Sequence, residues 1–405
     1  MQLKWMAVAL LGAITTHSHA TLIFNDGSTH QISSPIFEDV RLENGSDLDI
    51  IHGGSIHTPA DQPAVIASIG GASTITLSGD AMVTGGIDYL SWGSDEDAVI
   101  VNDTAQIVGL GEKFSGHGRG AVSGSRRVEV NGNARLEGAD NGTQGGHAID
   151  NTSSGAQLAS VHGGEVIGGV GGQTGGNGIH GRIDNIHLDM SGGIVRGGDA
   201  GSQGGHGITT TFGIISGTIS GGMISGGNGA SGGNAIQSQD GGSILDISGG
   251  IFQGGSGGLY GGDAINSIGF HSSTISGGYF DAGSGVLDDG WLLHLSGIGH
   301  WGITGGLFGY NNIGNGFGIF NNATVDIHGW DLQLTDNLLT GYLLDGNWIE
   351  APVSLAYNEF APLGNLNIFN HQNVRVPEPG SLMLLAIGLA GIWGAKRKKA
   401  GGAPM

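Results

Sequence analysis

The chain has 405 residues, among them 85 glycines, 8 prolines and no cysteine, and 35 acidic residues against 14 lysines and arginines give a net charge of −21. So much glycine excludes an ordinary helical domain, because each interior glycine costs roughly 0.5–1 kcal/mol relative to alanine. A charged fraction of only 12% excludes the disordered class, glycines that do not recur every third residue exclude collagen, and the lack of cysteine excludes disulfides and thiolate metal sites.

The N-terminus reads Met1-Gln2-Leu3-Lys4, then an apolar run from Trp5 to Ile14, then small residues at Ser18 and Ala20. A charged segment, a short apolar segment and a small-x-small site predict a signal peptide over residues 1–20, cleaved after Ala20. Residues 21–47 are expected to cap whatever follows.

From 48 to 334 the sequence repeats. A small or polar residue that follows an aliphatic one and precedes glycine recurs at His52, Ser78, Asn102, Asn131, His162, Ser191, Ser220, Ser248, Ser276, Thr304 and His328, a period near 28. Before these marks stand Ile51, Leu77, Val101, Val130, Val161, Met190, Ile219, Ile247, Ile275, Ile303 and Ile327; after them stands glycine, except at Asp103. Four residues past the mark, Val195, Ile224, Phe252, Phe280 and Phe308 form a second apolar column. Like residues recur in this way when each repeat is one coil of a solenoid. The alternation within a repeat, as in Ser243-Ile244-Leu245-Asp246-Ile247, has the period of a strand, and glycine pairs are expected at the corners. The expected fold is all-β: a single-stranded parallel β-helix, right-handed, with about eleven coils of three short strands, terminal caps and a C-terminal hydrophobic helix. At ~4.8 Å per coil it would extend about 50 Å.

A third column follows glycine pairs 12 to 14 residues past the mark: His147, Asn177, His206, Asn234 and Asp263. Each can hydrogen-bond along the stack, so a polar ladder that satisfies a turn is expected.

Residues 335–375 change character, with Leu338 to Gly346 and Ile349 suggesting a closing hairpin followed by an extended arm. Beyond them, Val376-Pro377-Glu378-Pro379-Gly380-Ser381 precedes a short apolar run and the basic cluster Lys396, Arg397, Lys398 and Lys399. The two prolines leave an extended, accessible segment. The 16 residues from Gly380 to Ala395 would span about 24 Å as a helix, marginal for a ~30 Å hydrocarbon core. The basic cluster should stay cytoplasmic and leave the body outside.

These three parts, in this order over residues 376–399, resemble the PEP-CTERM sorting signal of Gram-negative bacteria; the only departure is a tail at 400–405. The resemblance implies export through the general secretion machinery, transient anchoring in the inner membrane, and processing by an exosortase that recognises Pro377, Glu378 and Pro379. It also implies association with exopolysaccharide, the cell surface or a biofilm matrix.

Chemistry is harder to find. No lysine or arginine lies between Arg196 and Arg375, so a nucleic-acid partner is not expected and anionic membranes would repel the body. No cofactor is expected. Only Gly145 to Asp150 approaches a calcium-binding nonapeptide, which leaves room for no more than weak calcium binding by scattered carboxylates. Sixteen histidines invite a metal, but His147 and His206 stand two coils, or about 9.6 Å, apart, and no HExxH pattern occurs. Carboxylates for a polysaccharide lyase or glycoside hydrolase would have to come from Asp95-Glu96-Asp97, Asp184 with Asp189, or Asp288-Asp289. None of these groups recurs beside an aromatic platform or a cation. The expectation is an exported, non-catalytic structural or adhesive protein whose long polar faces contact exopolysaccharide or cells, with a carbohydrate-active enzyme as the alternative.

Overall fold

In the segment Gly242–Ile247 the side chains of Leu245 and Ile247 are buried while Ile244 and Asp246 face out, as a two-residue period requires of a strand with one face on the core. This residue pattern recurs through the computed structural model, which describes residues 21–371 apart from 60–61, 91–95, 115, 152–155, 184, 310–314 and 357–361. The described residues contain strands and turns and no helix. The expected signal peptide with Ala20, the Pro377-Glu378-Pro379 motif, the hydrophobic segment, the cluster Lys396, Arg397, Lys398 and Lys399 and the tail 400–405 lie outside them. The chain divides into compact units at 1–369 and 370–405.

The strands form a parallel β-solenoid. Neighbouring turns pair in parallel, and the pairing places twelve core residues in one unbroken file: Ile32, Ile50, Leu77, Val101, Val130, Val161, Met190, Ile219, Ile247, Ile275, Ile303 and Ile327. The second column is continuous too, from Val195 through Ile224, Phe252 and Phe280 to Phe308, with ring centroids 4.7 and 4.9 Å apart between the stacked phenylalanines. On the remaining face Ile149, Ile179, Ile208, Ile236, Ile265 and Leu293 stack in the same way. Three such files enclose a narrow core.

Ten full turns lie between Asp39 and Phe308. Two details differ from the sequence expectation. At the first glycine mark the file member is Ile50, fully buried, rather than Ile51, because the alternation Asp47-Leu48-Asp49-Ile50 sets the phase one residue earlier than the mark suggests. Residues 21–36 form a short turn of their own instead of a separate cap: Thr21–Phe24 pairs in parallel with Asp39–Glu43, Thr29–Ile32 with Asp47–Ile50, and Pro35–Ile36 with Ser55–His57. At the other end Leu338–Leu343 runs antiparallel to both Ala323–Thr335 and Trp348–Ser354, so the last parallel turn meets a hairpin. Trp348–Ser354 then pairs in parallel with Asn315–Phe320.

Glycine has two distinct duties. At the corner after the marks from His52 to Thr304, Asn102 apart, it takes the left-handed conformation, as at Gly222 (φ 84°) and Gly250 (φ 96°), which disfavours a side chain. Asp103 occupies the same kind of corner with φ 59°, a conformation aspartate tolerates better than most residues, and its Oδ2 accepts from the Gly79 amide of the previous turn at 2.9 Å.

The second duty is a seam. From Gly146 to Gly290 eleven backbone hydrogen bonds of 2.7–2.9 Å zigzag between two glycine-lined segments of each turn: Gly146 donates to Ala139, Gly169 to Gly146, Gly176 to Gly169, Gly198 to Gly176, and so on to Gly290 donating to Gly283. At Gly176 a Cβ would overlap the Gly146 carbonyl oxygen, and at Gly205 that of Gly176, so no larger residue fits. The seam pinches off loops such as 140–144, 170–174 and 199–203, which bridge one another at Gln144, Thr174 and Gln203. Each seam glycine from Gly146 to Gly262 on the second segment is followed directly by a ladder residue.

Candidate ligand-binding site on the polar columns

The ladder residues are held by the amide of the next turn. His147 Nδ1 accepts from the Asn177 amide at 2.9 Å, Asn177 Oδ1 from that of His206 at 2.8 Å, and His206 Nδ1 from that of Asn234 at 2.9 Å. Asn234 Oδ1 accepts from the Asp263 amide and Asp263 Oδ1 from that of Trp291, both at 2.7 Å. The side chain of one turn therefore satisfies the main chain of the following one, which explains why His, Asn and Asp alternate freely here: each offers an acceptor at similar reach.

For the two histidines this bond fixes the tautomer. A neutral ring that accepts at Nδ1 carries its proton on Nε2. Protonation would break the bond, and burial reinforces the preference. Burial, then the neighbouring His180, lowers His147 from its ordinary range to about 3; burial lowers His206 to about 4.

Beside the ladder runs a second polar column. Register pairing stacks Asp88, Ser123, Asp150, His180, Thr209, Gln237, Asn266 and His294, the positions that follow the inward-facing isoleucine file. The two columns meet at His147, Asp150 and His180. His180 Nδ1 lies 2.9 Å from Asp150 Oδ1, and the rings of His147 and His180 stack with centroids 4.3 Å apart. Burial would raise the Asp150 carboxyl, but the hydrogen bond to His180 and the nearby His147 and Lys113 outweigh it and hold the group below the usual carboxylate range.

This junction lines a hollow of about 350 Å³, shared with Lys113, His117 and Arg182. Lys113 Nζ is 3.7 Å from Asp150 Oδ2. A neighbouring hollow of about 170 Å³ shares Gln144, Asn177 and His180 and continues along the ladder past Gln203 and His206.

The ligand atoms of His147, Asp150 and His180 lie within 4.8 Å of one another, the one group of three candidate metal ligands among the described residues. The tautomer argues against coordination there. With Nδ1 occupied by the Asn177 amide and Nε2 protonated, His147 has no lone pair for a cation, and two remaining ligands fall short of what zinc takes from a protein.

Four of the carboxylates considered for glycoside chemistry accept hydrogen bonds from the framework. Asp97 is fully buried and accepts from the Ser73 amide at 3.0 Å, Asp189 accepts from Thr218 Oγ1 at 3.1 Å, Asp288 from Asn315 Nδ2 at 2.9 Å, and Asp289 from the Gly285 amide at 2.8 Å. Asp95 and Asp184 lie outside the described residues. His180, Lys113 and Arg182 carry no local sequence signal: Asp150 and His180 stand one full turn apart, 30 residues, in the column beside the ladder.

The fold defines this as a parallel β-solenoid protein. Its C-terminal region carries more: the PEP-CTERM protein-sorting motif matches residues 375–398. The motif implies an exported chain, targeted to an exosortase and anchored transiently in the membrane before surface display. No curated protein and no solved structure shows significant similarity to the chain. Among the described residues no helix is long and apolar enough to cross a membrane.

Proposed function

We propose that the exported solenoid is a structural or adhesive component of the cell surface or extracellular matrix, and that it holds exopolysaccharide along its two polar columns without catalysis of its own. The observation that carries this reading is the continuity of the columns: carboxylates, hydroxyls, imidazoles and amides recur turn after turn from Asp88 to His294, about 4.8 Å apart. Repeated weak contacts of this kind add through effective concentration, so a long chain is retained where one sugar is not. The test is incubation of the purified protein with acidic and neutral polysaccharides, scoring retention and cleavage separately. Retention without cleavage is the expected result; failure to retain any polysaccharide contradicts it.

A second reading, a polysaccharide lyase or glycoside hydrolase, is favoured by one feature: His147, His180 and Lys113 gather around Asp150 in a single hollow. Release of oligosaccharides in the same assay, abolished by His180→Ala, would establish it.

A further inference from the structure

Seven of the eight lysines and arginines between residues 21 and 371 fall between Lys113 and Arg196, so the cationic charge of an acidic body is concentrated in a few adjacent turns. Most of these cations are spent on pairs: Arg119 with Asp88, Arg127 with Glu129, Arg135 with Glu137 and Glu165, and Arg196 with Asp199. Arg182 is different. It is exposed, lines the larger hollow, and among the described residues forms no ion pair. Lys113, across the same hollow, stands at 3.7 Å from its carboxylate, beyond hydrogen-bonding reach, so its ammonium donors remain available.

The hollow is thus rich in donors and poor in acceptors. Lys113 and Arg182 contribute +2 and Asp150 −1, a local excess of +1 in a chain of net charge −21. Asp150 is already engaged by His180. The His147 ring, whose Nδ1 is taken by the Asn177 amide, can offer only Nε2–H. Such a set cannot serve a cation but suits a carboxylate, which an arginine fork grips through two parallel hydrogen bonds. The adjoining hollow supplies Gln144, Asn177 and Gln203, uncharged groups suited to hydroxyls.

We propose that the hollow between Lys113, His147 and Arg182 binds the carboxylate of a uronic-acid unit, with the next sugar of the chain over Gln144 and Asn177, so that the polymer this protein holds is an acidic one. The inference rests on the polysaccharide reading above and narrows it to a polymer class and a set of residues.

Calorimetric titration of the full chain with tetragalacturonate, its methyl ester and sodium sulfate tests it. The acid should bind, the ester at least tenfold more weakly, and raising salt from 50 to 500 mM should weaken the acid but not the ester. R182Q, exposed and therefore without effect on the melting temperature, and the double variant K113Q/R182Q should lose binding progressively, the double variant by at least tenfold. Equal binding of acid and ester, variants that bind like the unaltered chain, or binding of sulfate without the acid each overturn the proposal. If neutral polysaccharides are retained while tetragalacturonate is not, this site assignment fails and the broader reading stands; if nothing is retained, the broader reading fails with it.

Discussion

At Gly176 one methyl group separates a closed seam from an open one. A Cβ there would meet the Gly146 carbonyl oxygen, which is itself bonded to the Gly169 amide, so neither partner can retreat without breaking the zigzag. Gly176→Ala should therefore cost about 3 kcal/mol by denaturant titration, the upper range for overpacking. Gly142→Ala, with nothing within 4 Å, should change stability by no more than about 0.5 kcal/mol. The ladder predicts a different signature. Asn234→Ala leaves the buried Asp263 amide without an acceptor, at about 1–3 kcal/mol, and hydrogen exchange should show that amide losing protection ahead of its neighbours. Protonation provides a third handle at this scale. His147 and His206 titrate lower in the folded chain than the ordinary 6.5, so the unfolded chain binds more protons from pH 6.5 down to about 4 for His206 and about 3 for His147. Their contribution to stability is complete above pH 6.5 and is lost as pH falls through that window. His206→Asn keeps the acceptor and removes one titrating ring, and its stability profile should be flatter there than that of the parent chain.

The strand files show which elements were legible in sequence. Aliphatic residues before a glycine mark could be read as stacked because a parallel coil puts like on like, and the register confirms the file from Leu77 to Ile327. The first turn was not legible: Ile32 is followed by Ser33-Ser34-Pro35, with no glycine to mark the corner, and only 18 residues separate it from Ile50. The seam was hidden for a related reason. Its glycine pairs look like corner glycines in one dimension, and only the fold brings the two segments of a turn within contact. His180 escaped because its partner Asp150 belongs to the previous turn and carries no local spacing signal. Among the elements that were legible, the phenylalanine stack makes a sharp prediction. Phe280 is buried between the rings of Phe252 and Phe308, so Phe280→Ala should cost about 3–5 kcal/mol in thermal or chemical unfolding. Phe308→Ala, at 7% exposure nearer the end of the file, should cost less.

At the scale of the whole solenoid every functional statement depends on adjacent turns being in register, because the polar columns and the hollow they share exist only if equivalent residues stack. The chain contains no cysteine, so an engineered pair reports on register without interference. Thr218 and Asp246 are exposed register partners, and Asp246 pairs in turn with Thr274. Adjacent parallel strands lie ~4.8 Å apart, within the Cα range of a disulfide, while two turns, about 9.6 Å, exceed it. The most direct measurement is oxidation of the Thr218→Cys/Asp246→Cys and Thr218→Cys/Thr274→Cys variants, scored by mass and by mobility on denaturing gels. The account predicts a rapid intramolecular disulfide in the first and none in the second; failure of the first pair to close, or equal closure of both, would contradict it.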